Sequence, residues 1–343
     1  MSLRVFDRLW RRAPCLDGGA PLTIALVNNM PDAALKSTER QYRELLTSAS
    51  ADALVRLRLF SLPEVSRSPR ALAHIAEHHE PIENLWKGAI DGLIVTGNAP
   101  RAARVNDEPY WPALARLVDW ADGNTISTVW SCLAAHAAVL HLDGIERRPL
   151  AGKLSGVFEC FRVGAHPLVG IGPGRWKVPH SRHNDLPERA LAARGYRLLS
   201  WSDAAGADLF IKRRQSLFVF LQGHPEYDAT ALLREYRRDV QSFLSGETEH
   251  YPETPIGYLA AETEAAMRGF AGRARMGRDP ALITEFPMTV AERGLDAPWR
   301  GAAIRLYANW LTYLARERAR RAAWSTPVGV PPQRALHPSY VRA

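Results

Sequence analysis

A cysteine at a change of sequence pattern is the first candidate for chemistry. Residues 127–131 are mainly β-branched and apolar, and an alanine-rich run follows Cys132 without a break. The first run favours a strand and the second a helix, which places Cys132 on the turn between them. The positive end of a helix favours a thiolate over a thiol. The pattern predicts a nucleophile, and the alternative is a buried structural cysteine, which is common in protein cores.

Such a nucleophile needs a base, and the base needs an orienting group. His224 and Glu226 directly follow the apolar run Leu217–Leu221. In extended backbone, residues two apart lie on the same side. A carboxylate beside an imidazole fixes its tautomer and stabilises the imidazolium formed on proton transfer. We therefore predict a triad of Cys132, His224 and Glu226.

Other histidines compete for the role of base. His136 lies one helical turn after Cys132 and can face it, although we interpret it as a polar side chain on a helix flank. His180 and His183 belong to the dense polar cluster Pro179–His183, which we interpret as a loop at a substrate site.

Three more histidines, His74, His78 and His79, are spaced as if to share one helix face. A zinc site there lacks obvious support from a carboxylate or a cysteine. We therefore expect these three side chains at the surface.

The elements that position these residues alternate between strand and helix. Strand-like runs cover residues 22–28, 55–60, 90–97 and 127–131, and helical runs lie between them. This alternation predicts a doubly wound α/β fold with a mostly parallel sheet covered on both faces. Ligands bind at the carboxyl ends of such strands, where the loops after Val27 and Val95 join Cys132.

The second half of the chain has a different pattern. Short strand-like pieces between residues 154 and 221 predict a more antiparallel region on the same sheet. Helices are predicted at Thr230–Leu244 and Trp299–Arg321. We divide the chain into an N-terminal extension (1–20), one main domain (21–315) that includes an irregular segment (246–298), and a basic, proline-containing tail (316–343).

Composition narrows the class of protein. The chain has 343 residues, of which 46% are hydrophobic and 23% charged, as in a soluble globular protein. No apolar run is long enough to span a membrane, and residues 1–16 make a poor signal peptide, so we expect a cytoplasmic location. The three cysteines lack metal-type spacing. The net charge of +8 allows nucleic acid as a partner, but no recognisable module supports it, and we expect none.

Several segments, in order, resemble the homoserine O-succinyltransferase family, which also has O-acetyltransferase members. The resemblance covers roughly residues 21 to 315 and is strongest in three segments: Lys153–Val157, Pro179–His183 and Gly223–Asp228. Weaker parts are 29–31, 38–41, 91–97, 106–107, 110–112, 127–132, 238–239 and 309–311.

This resemblance implies a fold similar to class I glutamine amidotransferases, with a cysteine nucleophile elbow. It implies acyl transfer from an acyl-CoA co-substrate to the hydroxyl of L-homoserine, early in methionine synthesis, with no permanently bound cofactor. Cys132 would carry the acyl group, His224 would act as base and acid, and Glu226 would be the partner of the His224 imidazole. The resemblance further places Arg238 at the amino acid carboxylate, a task suited to an Arg fork. Lys153 and Ser181 would line the substrate pocket, with Arg182 beside them.

Three departures from the family pattern stand out. Arg101 occupies a position where a small or acidic residue usually distinguishes succinyl from acetyl donors. Its charge can pair with a succinyl carboxylate, which favours succinyl-CoA, although it can also point to solvent or reshape the pocket. Leu133 and His136 replace the family's aromatic and amide residues after the cysteine, and the segment 246–298 is longer.

The sequence leaves four alternatives for the donor, the acceptor and the function. They are acetyl-CoA as donor, L-serine as acceptor, an amidotransferase-like hydrolase and a binding protein that has lost activity. The intact triad argues against the last, and the segments Lys153–Val157 and Pro179–His183 argue against the hydrolase. The resemblance and the general frequency of two-fold assemblies lead us to expect a homodimer.

Overall fold

A computed structural model describes residues 20–50, 54–100, 102–170 and 173–325. Arg101 and most of the predicted N-terminal extension and tail lie outside these residues. The described strands are β1 (Leu22–Val27), β2 (Val55–Phe60), β3 (Gly92–Val95), β4 (Ser127–Ser131), β5 (Arg148–Arg162), β6 (Arg175–Asp185), β7 (Arg197–Leu198), β8 (Ser200–Ser202), β9 (Gly206–Ala207), β10 (Leu209–Arg213) and β11 (Leu217–Leu221).

Ten α-helices lie between or after these strands in the described ranges. They are α1 (Asp32–Ala49), α2 (Pro69–His78), α3 (Glu83–Lys87), α4 (Trp111–Asn124), α5 (Leu133–Asp143), α6 (Glu188–Ala193), α7 (Ala231–Leu244), α8 (Ala261–Gly277), α9 (Met288–Arg293) and α10 (Arg300–Ser325). Two 3₁₀ segments cover Val105–Asp107 and Pro280–Glu285. Helix α10 continues past residue 315, where we placed the start of the tail.

The main sheet has the order β2-β1-β3-β4-β11-β10-β7. Its first five strands are parallel, and β10 and β7 add an antiparallel edge. The chain reverses its direction of winding between β1 and β3, the kind of place where α/β sheets bind ligands. The predicted doubly wound, mostly parallel sheet is therefore confirmed.

Both faces of the main sheet are buried, which explains why its strands are apolar along their whole length. One face packs on α4 and α5 through residues such as Trp130 and Ala138. The other face packs on α1 and α10 through residues such as Tyr42 and Trp310. The Trp310 indole also donates a 3.0 Å hydrogen bond to the Ser127 hydroxyl, so α10 is fixed directly beneath the strand that carries Cys132.

The antiparallel region agrees with our prediction only in part, because β10 and β7 join the main sheet but other strands do not. Strands β5, β6, β8 and β9 form a separate four-stranded sheet rather than an extension of the main one. The long pair β5–β6 has one polar and partly exposed side, so it does not need helices on both faces. A third apolar cluster joins α7 to the segment 246–298, which contributes α8 and α9. Within the described ranges, every helix is too short or too polar to cross a bilayer.

Candidate active site

Cys132 stands on the sharp turn between β4 and α5. Its backbone has φ 52° and ψ −116°, and the structure describes only one other non-glycine residue with positive φ, Arg278. Holding a non-glycine residue in this backbone conformation costs free energy. Such strain is common at active sites, where a side chain must be presented for chemistry. The cysteine is only partly buried. The predicted strand-to-helix elbow is thus present.

His224 lies between Cys132 and Glu226. Its Nδ1 atom is 2.9 Å from Glu226 Oε1, and the imidazole also hydrogen bonds to the Cys132 side chain. The His224 amide donates to the carbonyl of Pro179 over 2.8 Å, which ties the loop after β11 to β6. The three residues that the sequence singled out therefore form one contiguous chain of polar contacts.

The charges around His224 favour the protonated form of its imidazole. Burial disfavours the charge, but the Glu226 carboxylate and the Cys132 thiolate outweigh it and raise the pKa of His224 well above its ordinary value. A base with a raised pKa holds the proton that it takes from a thiol. The arrangement can therefore support a thiolate–imidazolium pair.

Tyr227 joins this pair to a second polar cluster. Its ring stacks on the His224 imidazole with centroids 4.3 Å apart and an interplanar angle of 18°. Its hydroxyl donates to the carboxylate of Glu235 on α7. Neither residue was a predicted site residue, although Glu235 is three positions before Arg238 and thus on the same helix face.

Glu235 brings three of the predicted substrate residues together. Its carboxylate accepts a hydrogen bond from Ser181, and it lies 3.8 Å from both Lys153 and Arg238. Burial raises the pKa of Glu235, but the charge of Lys153 leads the effects that lower it below its ordinary value. Lys153 also contacts Asp239 at 2.5 Å. The side chain of Arg238 is 42% exposed and is available to a ligand.

The segment Pro179–His183 lies within strand β6, so our prediction of a loop is wrong. Alternation along β6 separates its side chains: Ser181 faces Glu235, whereas His180 is fully buried. Arg182 is 5% exposed, and its guanidinium donates to the carbonyls of Asn184 and Ala205. These bonds hold Arg182 in the wall behind the site, and its predicted contact with substrate stays a prediction.

His136 is 3% exposed and lies 2.9 Å from the side-chain oxygen of Gln222. Burial lowers its pKa to about 4. The residue is buried rather than on an exposed helix flank, and it links α5 to the end of β11. An imidazole that stays neutral and is bonded elsewhere does not compete with His224 as the base.

Gly97 approaches the first residue of α5 closely. A Cβ atom at Gly97 would lie 2.5 Å from Leu133 Cβ and 2.9 Å from Leu133 N. The first amides of a helix have no intrahelical acceptor. The amide of Cys132 itself is occupied, because it donates to the carbonyl of Leu221 over 2.7 Å. The Leu133 amide, next to Gly97, is therefore the better candidate donor to an oxyanion.

Cys160 differs from Cys132 in its burial. It is fully buried on β5, and burial raises the pKa of its thiol far above the ordinary value. It forms a hydrogen bond with Asp208, whose carboxylate also accepts from Ser200 over 2.7 Å. Cys160 is therefore a structural thiol.

The fold and the site define an α/β protein with a cysteine nucleophile elbow and a buried His–Glu pair. The sequence model described as homoserine O-succinyltransferase matches residues 12–321. The chain belongs to the homoserine O-succinyltransferase family, as its sequence segments predicted.

Named relatives and one solved structure resemble the chain. A homoserine O-succinyltransferase of Methylorubrum extorquens is 50% identical over 302 residues, which cover 88% of this chain and 89% of the relative. The Bradyrhizobium japonicum protein of the same name is 51% identical over 295 residues, covering 86% and 90%. A glutamine amidotransferase structure from Thermotoga maritima aligns at a TM-score of 0.47 and 12% identity, over 86% of this chain and 99% of that one.

Proposed function

We propose that this protein is a homoserine O-succinyltransferase that works through an acyl-cysteine intermediate. The observation that carries the proposal is the placement of His224 between the Cys132 thiol and the Glu226 carboxylate. The names of the relatives supply the acceptor and the acyl group. Two half-reactions that share one cysteine give ping-pong kinetics.

In the first half-reaction, His224 takes the proton of Cys132, and the sulfur attacks the thioester carbonyl of succinyl-CoA. A carbon–sulfur bond to Cys132 forms and the bond to the CoA sulfur breaks. His224 returns its proton to the CoA thiolate. The Leu133 amide stabilises the oxyanion of each tetrahedral intermediate.

In the second half-reaction, His224 takes the proton of the homoserine hydroxyl. The hydroxyl oxygen attacks the acyl-cysteine, the carbon–sulfur bond breaks, and His224 returns the proton to the sulfur. The product is O-succinyl-homoserine and the enzyme is restored. Glu226 keeps the imidazole oriented in both halves and stabilises its charge.

The cluster around Glu235 suits an amino acid acceptor. Arg238 offers an exposed guanidinium for the carboxylate, and Glu235 offers a negative charge for the ammonium group. Lys153 and Ser181 fix the position of Glu235. Because Tyr227 joins Glu235 to His224, a zwitterion bound here has its side-chain hydroxyl near the base.

A cleft beside α5 suits the acyl-CoA. It holds about 230 Å³ and is lined by residues that include His136, Arg104 and Arg147. Arg147 donates to the Ala103 carbonyl over 3.1 Å and is only partly exposed. Arg104 is paired over 3.2 Å with Glu146, which also lines the cleft, so Arg147 is the better candidate to attract the phosphates of CoA. The N-terminal turn of α5 leads from the cleft to Cys132.

An intact-mass measurement tests the proposal. The protein is incubated with succinyl-CoA alone, and we expect one succinyl group per chain, lost when L-homoserine is added. The adduct should be absent from Cys132→Ala and retained by the control Cys160→Ala. No adduct in the parent protein, or an adduct that homoserine does not discharge, would contradict the mechanism. Acetyl-CoA and L-serine in parallel test the alternative donor and acceptor.

The remaining expectations are also proposals. We assign the reaction to methionine synthesis, and we retain a cytoplasmic location, a homodimer and the absence of a permanently bound cofactor as predictions. The division into 1–20, 21–315 and 316–343 likewise stays a prediction.

A further inference from the structure

Two of the three histidines that we expected at the surface are buried against a carboxylate. The side chains of His74 and His79 are 8% and 1% exposed, and that of Glu39 is 6% exposed. Glu39 lies on α1, whereas the histidines lie at the end of α2. The carboxylate that meets them is distant in sequence, and the packing of α1 against α2 brings it there. Only His78, with 44% of its side chain exposed, lies at the surface as expected.

The donor atoms of these residues converge on one point. His74 Nε2 lies 2.9 Å from Glu39 Oε2, and His79 Nε2 lies 2.9 Å from Glu39 Oε1. All three ligand atoms fall within 4.8 Å of one another. In a tetrahedral zinc site with bonds of about 2.0–2.1 Å, neighbouring donors lie about 3.3 Å apart. Each of the two histidine-to-carboxylate distances needs to open by only a few tenths of an ångström to match such a site.

The charge balance also favours a cation here. A buried carboxylate requires a positive partner. The charge of Arg67 interacts with that of Glu39, but the Arg67 guanidinium is directed to Asp32 and to the carbonyls of Asn28 and Met30. Both imidazoles present Nε2 to the carboxylate, and neither Nδ1 has a partner among the residues that the structure describes. A positive charge in direct contact with the carboxylate can come from a proton on an imidazole or from a bound ion.

We propose that Glu39, His74 and His79 form a structural binding site for a divalent transition metal ion of the zinc type, with water as the fourth ligand. Two neutral imidazoles and one carboxylate are a common zinc ligand set. The ion would join α1 to α2 and stabilise the fold, and it would take no part in acyl transfer. The competing occupant is a proton shared within a histidine–carboxylate network.

The second cluster of metal-type side chains serves as a contrast. Cys160, His180 and Asp208 are also close together and buried. However, the thiol pKa of Cys160 is raised by burial, so the thiolate that zinc needs is disfavoured. Asp208 is further bound by Ser200. The cluster of Cys160, His180 and Asp208 therefore fits a hydrogen-bonded core rather than a metal site.

The test uses the full chain with Cys15→Ser and Cys132→Ala, which removes the two thiols that could bind zinc outside the cluster. After treatment with a chelator, equilibrium dialysis against Zn²⁺ should give one ion per chain, and Zn²⁺ should raise the melting temperature. In the same background, Glu39→Gln keeps the side-chain shape and should weaken binding by at least about tenfold. The control His78→Ala should bind zinc as the parent does.

X-ray absorption of the zinc-loaded protein gives an independent readout. We expect only nitrogen and oxygen neighbours, with the signature of two imidazoles. A first shell that contains sulfur, unchanged affinity in Glu39→Gln, or the absence of stoichiometric zinc would overturn the site. The last result would assign the cluster to a proton-bridged network. None of these results depends on acyl-transfer activity, so the proposed function is tested separately.

Discussion

The ring of Tyr227 lies flat on the imidazole of His224, with centroids 4.3 Å apart, while its hydroxyl reaches Glu235. One side chain thus connects the proposed base to the proposed acceptor pocket. Tyr227→Phe keeps the stacking and removes the bond to Glu235. Since hydrogen bonds to charged groups contribute about 1.5–3 kcal/mol, we expect the KM for homoserine to rise about tenfold or more. The rate of Cys132 acylation, measured by rapid-quench mass spectrometry, should stay near that of the parent.

Glu226→Gln tests the orienting group. An amide in place of the carboxylate no longer stabilises the imidazolium and favours the wrong tautomer, so acylation of Cys132 should slow by about 10³-fold or more. Glu235→Gln is the matched comparison, because it removes a carboxylate from the same site without touching His224 Nδ1. That variant should acylate normally and fail in transfer to homoserine. Equal slowing of acylation in both variants would contradict the assigned roles.

The pKa of His224 predicts a pH dependence of stability. Because the folded-state pKa is raised above its unfolded value, the folded protein binds this proton more tightly. The resulting stabilisation is complete below the unfolded pKa of about 6.5 and is lost as pH rises through the folded value. We expect the difference in free energy of unfolding between the parent and Glu226→Gln to shrink as pH rises from the unfolded to the folded pKa of His224. Urea unfolding at a series of pH values measures it, and a difference that grows with pH would have the wrong sign.

Gly97→Ala tests the close approach that forms the proposed oxyanion site. The added methyl would lie 2.5 Å from Leu133 Cβ, so the loop after β3 must move away from the start of α5. We expect kcat to fall about 10²-fold, the usual effect of losing one oxyanion donor, with the fold retained by circular dichroism. Gly123→Ala, on α4 with no atom of the described residues within 4 Å of the added methyl, is the control and should keep full activity.

Arg101→Glu tests the choice of acyl donor. If the arginine pairs with the distal carboxylate of the succinyl group, charge reversal should raise the KM for succinyl-CoA by at least about tenfold, because charged hydrogen bonds are strong. The KM for acetyl-CoA, which lacks that carboxylate, should change little. Arg147→Glu provides the comparison: a group that binds CoA phosphates affects both donors alike. An unchanged ratio of succinyl to acetyl in Arg101→Glu would remove Arg101 from donor selection.

The secondary structure around Cys132 and His224 follows from local sequence. The strand-to-helix change at Cys132 and the apolar run before His224 are short-range patterns, because side-chain periodicity and backbone preference act over a few residues. The two-residue spacing of His224 and Glu226 already placed their side chains together. A parallel sheet then brings the carboxyl ends of β4 and β11 to one edge, so the triad could be predicted before the structure was known.

Other relationships required the folded chain. Glu235 meets Ser181 and Tyr227, and Glu39 meets His74 and His79, across separations that no local pattern encodes. The segment Pro179–His183 is polar enough for a loop, yet it pairs in register with β5 and forms a strand. Which faces pack together depends on the burial of apolar surface summed over the whole domain. The sequence by itself therefore determined the proposed nucleophile and its proposed base, whereas tertiary packing decided which distant carboxylates meet the remaining histidines and hydroxyls.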